Sequence, residues 1–317
     1  MSGTALLEDL TARDCVMKRH DRTGFTVLEL LISIAVFTIL IAVLLPAVHS
    51  VHESSRSVAC RNNFRQVSLA LQNYVTSFRQ FPKTNTRQGT SFVGLLPFLE
   101  KQALYDVLVG PATATNSRAS YASPKEFKCP SDPVAMAYAQ GCSLGENIGV
   151  CVSEIHQHTE VGRKYDGVFL SQVEPVVVTA ASISDGLSNT AAYSEILAFP
   201  RPGLQQKIYT RRVDIRGCFS AEDQAMRCRL ADFALDTTPM ARGTTWRIAA
   251  MEMNQYVHAL PPNTRECRFV PNAASAHAAS AYSALCDGSV RLISGSIDER
   301  VWQAVGSRNS RDLTSGF

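Results

Sequence analysis

Phe25 to Val48 reads FTVLELLISIAVFTILIAVLLPAV. From Leu30 onward its 19 residues carry no charge, and only Ser33 and Thr38 are polar. At 1.5 Å rise per residue the whole segment forms a helix about 36 Å long, enough to cross a hydrocarbon core. A buried helix of a soluble core rarely stays apolar on every face for this length, so the segment reads as a transmembrane helix over 25–48.

The preceding stretch, 1–24, is polar and holds Lys18, Arg19 and Arg22 near its end. An ordinary secretory signal has a shorter apolar stretch and a small-residue cleavage site after it. The positive-inside rule keeps this leader cytoplasmic and sends the C-terminus outward, which predicts a single-pass protein of the cytoplasmic (inner) membrane. Glu29 lies inside the apolar end. A carboxylate in a bilayer costs on the order of 3 kcal/mol, so it marks a partner or a function unless it snorkels to the interface.

The junction Gly24-Phe25-Thr26-Val27-Leu28-Glu29 resembles the processing site of type IV pilins and type II secretion pseudopilins. The resemblance implies cutting between Gly24 and Phe25 by a prepilin peptidase/methyltransferase, which also methylates the new N-terminus. It makes Glu29 the fifth mature residue and an assembly contact for the Phe25 amine of a neighbouring subunit. Pro46 sits where many such helices carry a kinking proline.

No glycine or proline interrupts Ala47 to Phe81. Apolar positions recur at Cys60, Phe64, Val67, Leu71, Tyr74 and Phe78, a helical stripe, with Arg56, Arg61 and Arg65 off it. The pattern predicts one helix from Thr26 to Phe78, ended by Pro82, whose extracytoplasmic half (49–81) packs on a globular head (82–317). Self-association as a coiled coil is the other use of such a stripe.

In the head, Leu95–Val109 predicts a short helix. Gly167–Leu170, Pro175–Ala180, Thr190–Ile196 and Ser289–Ile293 predict strands, with turns at Asp166-Gly167, Asp185-Gly186 and Asp287-Gly288. The fold class is therefore α+β, a long N-terminal helix on an antiparallel-sheet head, with a loop-rich insertion at 199–262.

A second resemblance covers nearly the whole chain. SRSVACRNNFRQVSLALQNYVTSFRQFP (55–82) is similar to the helix exit of a large bacterial family of prepilin-like proteins of unknown function. So are Leu96-Pro97-Phe98-Leu99-Glu100, Cys129-Pro130-Ser131-Asp132, Ile183 to Thr190 (ISDGLSNT) and Leu260-Pro261-Pro262-Asn263. The last match is His277 with nine residues before Asp287-Gly288, an H-x9-D-G signature. Here the family's S-x-H-P-G-G reads Ser275-Ala276-His277-Ala278-Ala279-Ser280, and its Phe-Ala before D-G reads Leu285-Cys286.

The chain has nine cysteines without a C-x-x-C. Wide spacing argues against zinc knuckles and for disulfides in an oxidising compartment. Losing Cys15 with the leader leaves eight candidates: Cys60, Cys129, Cys142, Cys151, Cys218, Cys228, Cys267 and Cys286. Proximity suggests Cys142 with Cys151 and Cys218 with Cys228, while Cys60 with Cys129 would tie the helix to the head.

A net charge of +3 and the absence of a basic, aromatic-rich stripe speak against nucleic acid. No Walker loop or G-x-G-x-x-G supports nucleotide binding. His277 and Asp287 with Ser275 or Ser280 could be read as a catalytic set, but no G-x-S-x-G elbow accompanies them. A hairpin turn at Asp287-Gly288 would place His277 at the far end of its strand, so both are read as structural. His156-x-His158 lacks a third metal ligand. Asp132, Asp185 and Asp287 would have to converge to hold calcium, as some pseudopilin heads do, and no D-x-D-x-D-G loop occurs. The expectation is a non-enzymatic pseudopilin-like structural protein with no cofactor or metal, whose partners are the peptidase, the membrane and other pilin-like subunits. The alternatives are a membrane-tethered binding head that does not polymerise, and an exported hydrolase on a pilin-like anchor.

Overall fold

The computed structural model describes residues 26–84, 89–110, 122–150, 166–169, 177–198, 220–230, 242–250, 253–264, 270–277 and 279–310. They fall into two compact units, divided after Val51. Helix α1, Val27–Phe78, contributes to both.

In the first unit α1 exposes its apolar side chains all round, from Val27 to Val48. Its start is a reciprocal cap: the Thr26 amide donates to Glu29 Oε2 (2.9 Å) and the Glu29 amide to Thr26 Oγ1 (3.3 Å). Ser33 and Thr38 donate their hydroxyls to the carbonyls of Glu29 and Ile34 one turn back, which spares an apolar surrounding any unpaired hydroxyl. The span is long and apolar enough to cross a membrane.

In the second unit the expected stripe faces inward. Cys60, Phe64, Val67 and Leu71 are buried, Tyr74 is half-buried, and Phe78 is exposed. The helix ends because Arg79 adopts φ +57°, three residues before Pro82. The predicted helix 95–109 is two: α2 (Ser91–Leu95) runs through a 3₁₀ turn (Leu96–Leu99), and α3 (Gln102–Val109) follows a break where Glu100 takes φ +61°. A short α4 (Pro133–Ala137) comes next, capped by Asp132.

The sheet has five strands in the order β3-β1-β2-β4-β5: β1 Leu144–Asn147, β2 Ala191–Glu195, β3 Gln255–Tyr256, β4 Ser280–Leu285 and β5 Val290–Ser294. It is mixed, not wholly antiparallel, because β3 pairs parallel to β1. The strands expected at Thr190–Ile196 and Ser289–Ile293 are β2 and β5. Gly167–Phe169 is a bend whose Phe169 stacks on Tyr193 at 4.7 Å. Val177–Thr179 leads into a 3₁₀ turn, Ala180–Ser182. The stretch read as an insertion supplies β3 and the buried Trp246, so its latter part belongs to the core. It also carries α5, Ala221–Leu230.

Alternation along β4 builds two layers. Tyr282 and Ala284 join the α1 cluster with Phe64, Leu71 and Tyr193, whereas Leu285 packs with Val305 of α6 (Glu299–Gly306) on the other face. Trp302 of α6 seals that side against Tyr256 and Ile293. The β4–β5 connection differs from the expected two-residue turn. Leu285 pairs with Ser289, Gly288 N donates to Leu285 O (3.0 Å), and Gly288 alone has positive φ, +89°. This is a three-residue loop closed by a glycine bulge.

Candidate functional site

Four segments converge where α1 meets the sheet. Glu53 and Cys60, seven residues apart, lie on one face of α1. Cys129 and Ser131 come from the loop before α4, Glu195 from the end of β2, and His277 from the segment entering β4. Cys60 and Cys129 form a disulfide, as their suggested pairing anticipated. The His277 ring stands edge-on to Tyr282 with centroids 5.7 Å apart. Its Nδ1 lies 2.9 Å from Glu53 Oε1, which also accepts Ser131 Oγ at 2.9 Å. Its Nε2 faces Cys129 Sγ at 3.5 Å and Glu195 Oε1 at 3.7 Å.

Outer bonds hold each of these groups. The Tyr282 amide donates to Glu195 Oε2 at 2.8 Å, the His277 amide donates to Ser275 Oγ at 3.0 Å, and the Ser275 amide donates to Asn263 Oδ1 at 2.7 Å. Glu195 is fully buried; desolvation pushes its carboxyl up to about 8, against the opposing pull of the Tyr282 amide. Sequence-distant blocks noted above, around Cys60, Cys129, Asn263 and His277, thus meet in one place. The donor atoms of Cys60, Cys129, Glu195 and His277 all lie within 4.8 Å of one another.

Residues 49–300 match the model of a family described as a protein of unknown function, DUF1559. The chain belongs to the DUF1559 family. Residues 19–45 match the prokaryotic N-terminal methylation motif, which makes this DUF1559 protein prepilin-like and pilin-like in its membrane anchor. The motif implies processing by a prepilin peptidase and membrane association. No curated protein and no solved structure matches the chain.

Several sequence expectations for this DUF1559 chain need correction. Cys142 and Cys286 are free, buried thiols, not disulfide partners. Cys142 Sγ is engaged with the Leu144 backbone, and burial pushes its thiol up to about 12, which keeps it protonated and unreactive. Burial also raises the Cys286 thiol. Cys228 is disulfide-bonded. Gly24, Phe25, Cys15, Cys151, Cys218, Cys267, His156 and His158 lie outside the described residues.

His277 and Asp287 do not pair with each other: the Asp287 carboxylate accepts the Ser289 amide and hydroxyl at 2.8 and 2.6 Å. Nor do Asp132, Asp185 and Asp287 converge on a cation. Asp132 caps α4 and accepts Ser143 Oγ and the Ala198 amide, while Asp185 accepts Ser307 Oγ and the Ser310 amide. Sequence reasoning missed Glu53 and Glu195. The heptad distance from Glu53 to Cys60 was a usable signal; nothing local to β2 distinguishes Glu195.

Proposed function

We propose that this protein is a pseudopilin-like structural subunit of the cytoplasmic membrane, not an enzyme. After cutting behind Gly24, the methylated Phe25 amine lies at the head of an apolar helix, with the DUF1559 head on the outer side. One observation carries the reading. α1 presents apolar side chains on every face from Val27 to Val48, interrupted by a single carboxylate, Glu29, bonded to Thr26 of its own cap. A lone carboxylate at the apolar end of a bare helix suits a cationic amine on a neighbouring copy or another pilin-like subunit.

Shearing cells and probing the released fraction with an antibody to the head tests this. Mature chain in sheared filaments, reduced at least tenfold in Glu29→Ala cells, is the expected result. Mature chain confined to the membrane fraction in wild-type cells would sink the assembly role. It would leave the second reading, a membrane-tethered binding head, which the Glu53, Glu195 and His277 cluster favours.

A further inference from the structure

We propose that Cys60, Cys129, His277 and Glu195 form a zinc site when the two cysteines are dithiols. The inference is independent of whether the chain polymerises. Two sulfurs, one imidazole nitrogen and one carboxylate oxygen make a donor set that suits a tetrahedral zinc ion. The four donors come from four separate segments, all are buried, and their ligand atoms already lie within 4.8 Å of one another. Zinc–sulfur bonds of about 2.3 Å at tetrahedral angles need sulfurs about 3.8 Å apart, a spacing open to two thiolates and closed to a disulfide.

The surroundings favour a cation. A disulfide closes readily among apolar neighbours. Here the His277 imidazole and the buried Glu195 carboxyl stand beside it, groups that are costly to withdraw from water without a compensating charge or full hydrogen bonding. His277 Nε2 has only weak partners, a sulfur at 3.5 Å and an oxygen at 3.7 Å. Its other nitrogen is held at 2.9 Å by Glu53, itself fixed by Ser131. That is the outer-shell carboxylate that orients a metal-binding histidine, and Glu53 acts here as a positioning residue. The Tyr282 amide holds Glu195 Oε2, and Oε1 lies 3.7 Å from His277 Nε2.

Loading changes no oxidation state. Zn²⁺ displaces one proton from each thiol and any proton carried by the Glu195 carboxyl, two zinc–sulfur bonds and one zinc–oxygen bond form, and the displaced protons pass to solvent. A newly made chain carries thiols, so loading needs no reductant. The same sulfurs carry either the metal or the disulfide, never both.

The test uses the full chain purified in detergent, reduced under inert gas with a phosphine, given zinc, freed of excess and assayed by elemental analysis. Close to one zinc per chain is expected, against less than a tenth for the oxidised chain. Cobalt in place of zinc should give thiolate charge-transfer and tetrahedral d–d bands. His277→Ala and Glu195→Ala should each weaken retention at least tenfold. Glu53→Gln should weaken it about 10-fold to 100-fold while the disulfide still forms on oxidation. Cys60→Ser/Cys129→Ser should lose the cobalt bands, which separates this site from other thiols.

A reduced chain with native circular dichroism that retains less than a tenth of an equivalent overturns the proposal. So does retention unchanged in His277→Ala. If reduction unfolds the chain, stoichiometric zinc must restore the native spectrum; failure to do so overturns it equally.

Discussion

Gly288 and Glu146 show how single residues set the stability of the head. Gly288 sits at φ +89°, and a Cβ there would lie 2.9 Å from Gln72 Cγ. Gln72 is pinned in turn, because its Nε2 donates to Cys286 O at 2.8 Å. Gly288→Val meets both the strained φ and the contact, so it should cost about 1–3 kcal/mol, read as a lower denaturation midpoint. Gly288→Asn should cost less, since asparagine tolerates the left-handed region. Glu146 is buried in β1 and accepts bonds from Thr84 Oγ1 and the Ser91 amide. Desolvation outweighs these and raises its carboxyl from 4.5 to about 7. Between those values the folded chain keeps a proton that the unfolded chain has lost. The stabilisation is complete below pH 4.5 and disappears as the pH rises through about 7. Burial lowers His258 from 6.5 to about 3, so its own contribution is fully present above pH 6.5 and does not mask the trend. Chemical denaturation from pH 6.5 to 8.5 should show falling stability, and Glu146→Gln should remove about 1 kcal/mol of that fall. An unchanged slope in the variant would refute the assignment.

Among the elements, α1 carries two surfaces of opposite character within one turn and a half. Phe64 is 1% exposed against Tyr282, whereas Leu69 is 62% exposed. Phe64→Ala should cost about 3–5 kcal/mol in melting experiments. Leu69→Ala should stay within about 0.5 kcal/mol. This helix and its stripe were legible in the sequence because a 3.6-residue period is a local signal. β2 and β5 were largely legible too, from β-rich runs, and the Asp-Gly turn implied a strand ahead of β5. β1 was not: Leu144-Gly145-Glu146-Asn147 is buried at every position, so no alternation marks it, and its glutamate argues locally for solvent. β3 is two residues long and exists through its parallel pairing with β1. The candidate site was half legible. Cys60, Cys129 and His277 stood out, but Glu195 gains its place only when β2 and β4 pair. The disulfide spans 69 residues, and Cys60→Ser/Cys129→Ser should lose about 2–4 kcal/mol under oxidising conditions.

For the whole molecule, the chain divides after residue 51 into two compact units. A fragment of residues 52–317 should stay in aqueous solution and keep the Cys60–Cys129 bond, while the full chain partitions into detergent. A fragment that aggregates with unpaired thiols would contradict this. Gly24→Glu should leave an intact Met1 on the membrane-extracted chain, detectable by mass spectrometry, where the wild type should start at a methylated Phe25. The disulfide also has a mechanical consequence. Tension entering along the backbone of α1 reaches Cys60 and divides there, one path following the chain and the other crossing directly to Cys129, next to α4 and β1. The 68 residues between the two cysteines are shielded from the load. At about 3.5 Å per residue this is about 240 Å of hidden contour length. An oxidised subunit stretched between its ends yields that much less chain than a reduced one, so the bond sets how far the head can extend before it detaches.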